Sequence, residues 1–233
     1  MYALSEIYKM KPMTLPIDVK QKIQVLCKQV GAEIPFTIIP QKASVQDTIR
    51  EVNKITEENK REKCDLLCSI LEKEDVEAFA PTLFQALCKQ VFFSKTYAYV
   101  FLHLEKRWPC FRVVLESQFQ TYLASFATIE ACSPEDYDAY CVWKKENDGR
   151  RAFTLFLLHC GFTEHCQQVV DTVTSCITSI LQVDKKEVMN EYIEHMFLLG
   201  IKAPIIKTIS TLKPEEYCGI NYKIIFRCMD ILK

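Results

Sequence analysis

The side chains in this 233-residue chain that could do acid–base, metal or nucleophilic chemistry are four histidines, twelve cysteines and a few adjacent carboxylates. His159-Cys160 and His165-Cys166 lie close enough to suggest zinc. Gly161 separates the two pairs, however, and no Cys-x-x-Cys accompanies them, so satisfied helix-end histidines are the preferred reading. Glu57-Glu58 and Glu215-Glu216 follow Thr56 and Pro214, where first helical turns favour negative charge. A catalytic carboxylate pair would also need a pocket that the sequence does not reveal. Five scattered glycines cannot build a phosphate-cradling loop, and neither His-Glu-x-x-His nor Gly-x-Ser-x-Gly occurs. The residue pattern therefore points to binding rather than catalysis, with no catalytic residue, cofactor or metal expected.

The elements that would position any binding residue read as helices. Almost all of the five Gly and nine Pro fall between amphipathic stretches. Gly31, Gly161 and Gly200 follow apolar-periodic runs as helix-ending residues, and Pro109, Pro134 and Pro204 stand at first turns. Asp18 with Gln21, Ser44 with Asp47, Ser133 with Asp136 and Asp184 with Glu187 have the spacing of an N-cap and its reciprocal partner. These signals predict helices near 18–30, 44–54, 56–71, 75–92, 94–107, 109–131, 134–147, 150–160, 164–181, 185–199, 203–212 and 221–232. The one β-branched run, Phe36 to Ile39, lies between Pro35 and Pro40 and reads as an extended linker.

The expected fold is all-α. Helices joined by short connections are antiparallel neighbours, and a long series of such pairs makes an α-solenoid, here of about five pairs over 44–233 after an N-terminal segment, 1–43, with one helix. No exact repeat of fixed period is visible, so that expectation rests on helix spacing. Three- and four-residue spacing places Leu67, Ile70, Leu87, Val91, Leu102, Val114, Leu157, Ile180, Phe197, Ile225 and Leu232 in one continuous core.

Composition sets the class. Hydrophobic residues are 49% and charged residues 25%, as in ordinary globular chains. A net charge of −1 provides no global attraction to nucleic acid or anionic membrane, although residues 1–43 carry six Lys against three acidic residues and 201–233 carry six Lys/Arg against three. The cysteines sit in apolar helical patterns without a secretory leader before them, and no apolar run approaches the length of a membrane span. A reducing, cytoplasmic setting is expected.

Asn53-Lys54-Ile55-Thr56-Glu57-Glu58-Asn59 resembles the Asn-Lys-Leu-Thr-Pro-Glu-Asn signature between the first two helices of the middle domain of the translation initiation factor 4-gamma family, a HEAT-repeat domain. It is followed in the same order by Leu83–Val91 and Tyr97–Leu102, where that family has an aliphatic helix and then a Tyr-Ala-containing helix. Arg150-Arg151-Ala152-Phe153-Thr154-Leu155-Phe156-Leu157-Leu158 resembles its Arg-Arg-led helix, and Asn221–Leu232 its last one. The likeness covers about 44–233. Glu57 replaces the signature proline, the glycines after the double arginine are missing, and the acidic insertion is trimmed to about 130–149. These departures suggest a compact version of the family, divergent or viral. Related middle domains also serve nuclear cap-binding, mRNA decay, deadenylation and splicing scaffolds.

The resemblance implies a translation-initiation scaffold that binds a DEAD-box RNA helicase, initiation factor 4A, with mRNA as a further partner. An RNA-binding or mRNA-decay adaptor of the same superfamily is the alternative. Ile55, Thr56, Asn59, Arg150 and Arg151 would meet the helicase, together with Phe36, which stands where the family has a Trp followed by Pro. Phe36 is expected either to anchor in a partner pocket or to pack on its own chain. The stretch Met1–Tyr8 resembles the Tyr-x-x-x-x-Leu-hydrophobic motif that holds cap-binding factor 4E, with Tyr2, Ile7 and Tyr8 in the key positions. Folding back of Tyr2, Leu4 and Ile7 onto the helix at 18–30 is the competing expectation.

Overall fold

The computed structural model describes residues 45–133 and 135–233 and, upstream, Val25. The chain divides into two units, Met1–Lys42 and Ala43–Lys233, and everything below concerns the second. The predicted helix at 18–30 apart from the helical Val25, its Asp18/Gln21 cap, Gly31, Ser44, Pro134, Phe36 and the Met1–Tyr8 motif lie outside the described residues.

Among the described residues the unit is all-helical, with ten helices and no strand. They are α1 (Val45–Val52), α2 (Lys60–Leu71), α3 (Val76–Cys88), α4 (Ser94–Arg107), α5 (Cys110–Phe126), α6 (Tyr137–Cys160), α7 (Thr163–Ile180), α8 (Lys186–Leu199), α9 (Pro204–Thr211) and α10 (Tyr222–Leu232). The stop signals act as expected: Gly161 (φ 73°) and Gly200 (φ 64°) end α6 and α8 in the left-handed region. Pro204 opens α9, where its missing N–H costs nothing.

Two start signals are displaced. Asp136, not Ser133, caps α6 by accepting from the Ala139 amide at 3.1 Å, while the Ser133 hydroxyl accepts from the Glu135 amide at 3.3 Å. Helix α8 begins after Lys185 without a side-chain cap, and Asp184 instead pairs with Lys186 at 2.8 Å. Glu57-Glu58 and Glu215-Glu216 occupy turns rather than helical first turns. The largest difference is at 134–160, where two predicted helices are one 24-residue helix running through Gly149.

Helices α1, α3, α5 and α7 pack one on the next, and so do α2, α4, α6, α8 and α10; contacts such as α1 to α2, α3 to α4 and α6 to α7 join the two rows. The core between them is continuous. Its centre is aromatic: Phe84 meets Phe101, Phe153 and Phe156 edge-on with ring centroids 5.6–5.9 Å apart. Such pairs add about 0.5–1.5 kcal/mol each beyond area burial, which strengthens the α3/α4/α6 junction. Of the predicted core, Leu67, Leu87, Leu157 and Ile225 are buried, and Val114, Ile180, Phe197 and Leu232 are partly buried against it. Val91 and Leu102 are each 36% exposed, a correction to the stripe prediction. Helix α3 stops at Cys88, which leaves Val91 in a turn beside Phe92, whose side chain is 96% exposed.

Candidate functional site

The Asn53–Asn59 segment forms the turn between α1 and α2, and its polar atoms are largely engaged within it. The Thr56 amide donates to Asn59 Oδ1 at 2.8 Å, the Asn59 amide donates back to Thr56 Oγ1 at 3.4 Å, and Asn59 Nδ2 donates to the Lys54 carbonyl at 3.0 Å. Ile55 is 1% exposed and belongs to the core, so its side chain fastens the turn from inside. Glu57 reaches Lys60 and accepts from the Thr96 hydroxyl of α4 at 3.0 Å, and these two bonds, Lys60 first, hold its carboxyl below the usual carboxylate range. Thr56, Asn59 and their neighbours thus form a rigid loop surface.

The double arginine lies far along the chain from that turn, in the middle of α6. Arg150 donates to Asn147 Oδ1 at 2.5 Å, and burial lowers its guanidinium's affinity for a proton. Arg151 bonds Glu191 of α8 and reaches Asp148 at 3.3 Å. One turn after Arg150, Thr154 anchors a buried polar ladder. Its Oγ1 lies 2.6 Å from Tyr122 OH of α5 and 2.7 Å from His195 Nδ1 of α8, and it donates to the Arg150 carbonyl at 3.1 Å. Three helices are fastened through one hydroxyl. Burial, aided by Arg151 and Arg150, drives the His195 pKa down to about 3, so the ring is neutral. Burial pushes the Glu191 carboxyl above its usual range against the pull of Arg151.

Two clefts flank α6. One, of about 920 Å³, opens between α3, α5 and α6 over Phe84, Cys88, Tyr122 and Phe153, with Lys89, Lys144, Lys145 and Arg150 at its sides. The other, of about 660 Å³, lies between α6, α8 and the segments preceding α6 and α10; Tyr140, Trp143, Asn147, Arg151, Asn190 and Glu191 line it, with Lys144, Lys186 and Lys223. Arg150 faces the first and Arg151 the second, so the two arginines serve different surfaces.

Sequence reasoning missed Asn147, Tyr140, Trp143 and Glu191. A usable signal existed for two of them. Asn147 precedes Arg150, which donates to it, by three residues, and that spacing puts both on one helix face. Glu191 interrupts the apolar stripe Val188, Tyr192 and Met196, and a carboxylate on a buried face requires a cation. Of the histidine–cysteine pairs, His165 has ordinary partners, its Nε2 3.1 Å from Glu116 and its ring 4.5 Å from Phe119, while Cys160 and Cys166 are buried thiols. Among the described residues no three or more His, Cys, Asp or Glu gather as metal ligands. No helix of the described residues is long and apolar enough to cross a membrane.

Compared with known proteins, the chain matches no family model, no curated protein and no solved structure.

Proposed function

We propose that the chain is a non-catalytic scaffold: a HEAT-like α-solenoid, akin to the initiation factor 4-gamma middle domain, that holds the DEAD-box helicase initiation factor 4A during translation initiation. The observation that carries this reading is the packing order of the helices. Alternate helices follow one another in two rows joined by short connections, which is how antiparallel helix pairs stack in a solenoid. The order of the resembling segments along the chain agrees with that of the family. A two-row body of this kind would offer separated contact points on one support, so a two-lobed helicase bound at both would be held near its closed arrangement. On this reading the partner does the chemistry.

The same reading gives the Met1–Tyr8 motif the task of recruiting cap-binding factor 4E, and Phe36 that of a helicase anchor. The test is titration of the full chain into initiation factor 4A, followed by the helicase's RNA-stimulated ATPase. The expected result is a defined complex, faster turnover, and an affinity that falls about ten-fold or more in Phe36→Ala, as loss of an aromatic anchor does. A folded chain that neither binds the helicase nor changes its ATPase overturns the proposal. Titration of factor 4E against wild type and a Tyr2→Ala/Ile7→Ala double variant tests the second partner, and equal binding by both removes that assignment.

A further inference from the structure

The cleft between α6 and α8 is built unlike a crevice left by imperfect packing. Asn147 and Glu191, which line it, are 1% and 3% exposed, yet Asn147 Nδ2 and Glu191 Oε2 have no hydrogen-bond partner among the described residues. Their other polar atoms are fixed, Asn147 Oδ1 by Arg150 at 2.5 Å and Glu191 Oε1 by Arg151. The groups are therefore held rigidly, with the Asn147 NH2 and one Glu191 oxygen still unused, and Arg151 Nε on the same wall is likewise without a partner. Buried polar groups are rarely left unpaired in an ordinary interior, because the water they give up is not replaced, which makes this an arrangement that calls for a ligand.

The remaining lining narrows the ligand's chemistry. Tyr140 and Trp143 stack with centroids 5.7 Å apart and planes 26° apart, and Trp143 Nε1 donates to the Glu130 carbonyl at 2.6 Å, which fixes the indole. A fixed aromatic pair is a platform for a further flat ring. Lys144 and Lys223 are exposed at the cleft, and Lys186, held by Asp184 at 2.8 Å, stands beside them. A cationic ligand would suit Glu191 but be repelled by those lysines and by Arg151. A simple anion would suit the lysines but meet a buried carboxylate. The exposed carboxylate of Glu187 also lines the cleft, set against three lysines. A ligand that presents an N–H beside a ring acceptor, stacks on an aromatic face and carries negative charge suits Glu191, Asn147, the aromatic pair and the lysines.

We propose that this cleft binds a nucleobase bearing phosphate, with Glu191 and Asn147 reading the base edge, Tyr140 and Trp143 stacking on its face, and Lys144, Lys186 and Lys223 meeting the phosphate. Both a free nucleotide and an unpaired base of single-stranded RNA present this chemistry. The inference does not depend on the helicase reading, because it concerns a different ligand and a cleft defined by its own residues.

The chain has two tryptophans, and Trp108 does not line the cleft, so a Trp108→Phe background leaves Trp143 as the only indole reporter. The probes are GMP, UMP, ribose 5-phosphate and a single-stranded uridine or guanosine-containing octanucleotide, added at low salt while Trp143 fluorescence is followed. Saturable quenching by a nucleotide or an octanucleotide is expected, on the order of ten-fold tighter than any effect of ribose 5-phosphate because stacking is lost in the latter. Quenching by the mononucleotides identifies a free nucleotide as sufficient, and quenching by the octanucleotide alone identifies the single strand as the source. Asn147→Asp keeps the oxygen that holds Arg150 and turns the unused donor into an acceptor. Affinity is expected to fall about ten-fold or more in that variant, and again in Lys186→Ala/Lys223→Ala, which changes only the cleft's edge. The proposal is overturned if no base-containing probe quenches a folded chain at millimolar concentration, if ribose 5-phosphate binds as well as the nucleotides, or if Asn147→Asp binds them like wild type.

Discussion

One hydroxyl carries more of the fold's polar accounting than its size suggests. Thr154 Oγ1 is shared by Tyr122 of α5, His195 of α8 and the Arg150 carbonyl of its own helix. Thr154→Val keeps the side chain's shape and leaves the Tyr122 hydroxyl and His195 Nδ1 unpaired in a buried setting. The expected loss is about 2–4 kcal/mol, read from urea unfolding, whereas Thr163→Val at an exposed helix start should change little. His195 makes a second prediction. Its folded pKa is depressed to about 3, chiefly by burial, from an ordinary 6.5, so between those values the unfolded chain binds the extra proton and the folded chain does not. Stability must therefore fall as the pH drops from 6.5 toward 3, by up to about 1.4 kcal/mol per pH unit. Glu191 acts in the opposite sense just above its ordinary 4.5, since its raised folded pKa makes the native state the better proton binder there. Comparison of wild type with His195→Asn isolates the histidine: the acid-side slope of unfolding free energy from pH 6.5 downward should become shallower in the variant. An unchanged slope would assign the acid sensitivity elsewhere.

At the scale of single elements, glycine tests how α6 is held together. Gly149 sits inside the helix with nothing within 4 Å of where a Cβ would be, so Gly149→Ala should stabilise by about 0.5–1 kcal/mol through the backbone entropy that glycine loses on folding. Gly219→Ala should do the reverse. Its Cβ would lie 2.6–2.9 Å from the carbonyl oxygens of Ile180, Leu181 and Val183, which are backbone and cannot swing away. Thermal melts of the two variants should move in opposite directions. Gly149 also marks where sequence reading failed. The same letter ends a helix at Gly161 and continues one at Gly149; the stop was legible because an apolar run ends there, and the continuation depends on packing of α6 against both α4 and α8. Helix starts were less legible than stops, since Ser133 and Asp136 are both good caps three residues apart and only the folded chain chooses. The double arginine was legible as a motif, but its partners, Asn147 one turn earlier and Glu191 a helix away, were visible only once α8 lay beside α6.

Across the whole of the Ala43–Lys233 unit, stability should be graded rather than uniform. Helices α3 to α6 surround the aromatic centre, each packing on more than one neighbour. Helix α10 packs chiefly on α8 and α9, and α9 chiefly on α10. What joins this end to the rest includes one polar clamp: Arg227 donates twice to the Glu194 carboxylate, at 2.8 and 2.7 Å, and its guanidinium lies 3.4 Å from the centroid of the Phe197 ring. A bidentate pair stacked on an aromatic is stronger than an ordinary surface ion pair, because the geometry is fixed and part of the charge is shielded from water. Structures in which helices contact mainly their neighbours tend to open locally, from the region with fewest contacts. Arg227→Ala is therefore expected to speed amide hydrogen exchange about ten-fold or more in α9 and α10 while leaving α3, α4 and α6 near their wild-type rates. Arg227→Lys, which keeps the charge but not the planar fork, should fall between the two. If instead protection drops equally along all ten helices, the unit unfolds as a single cooperative block, and the Arg227 clamp stabilises the whole of it rather than one end.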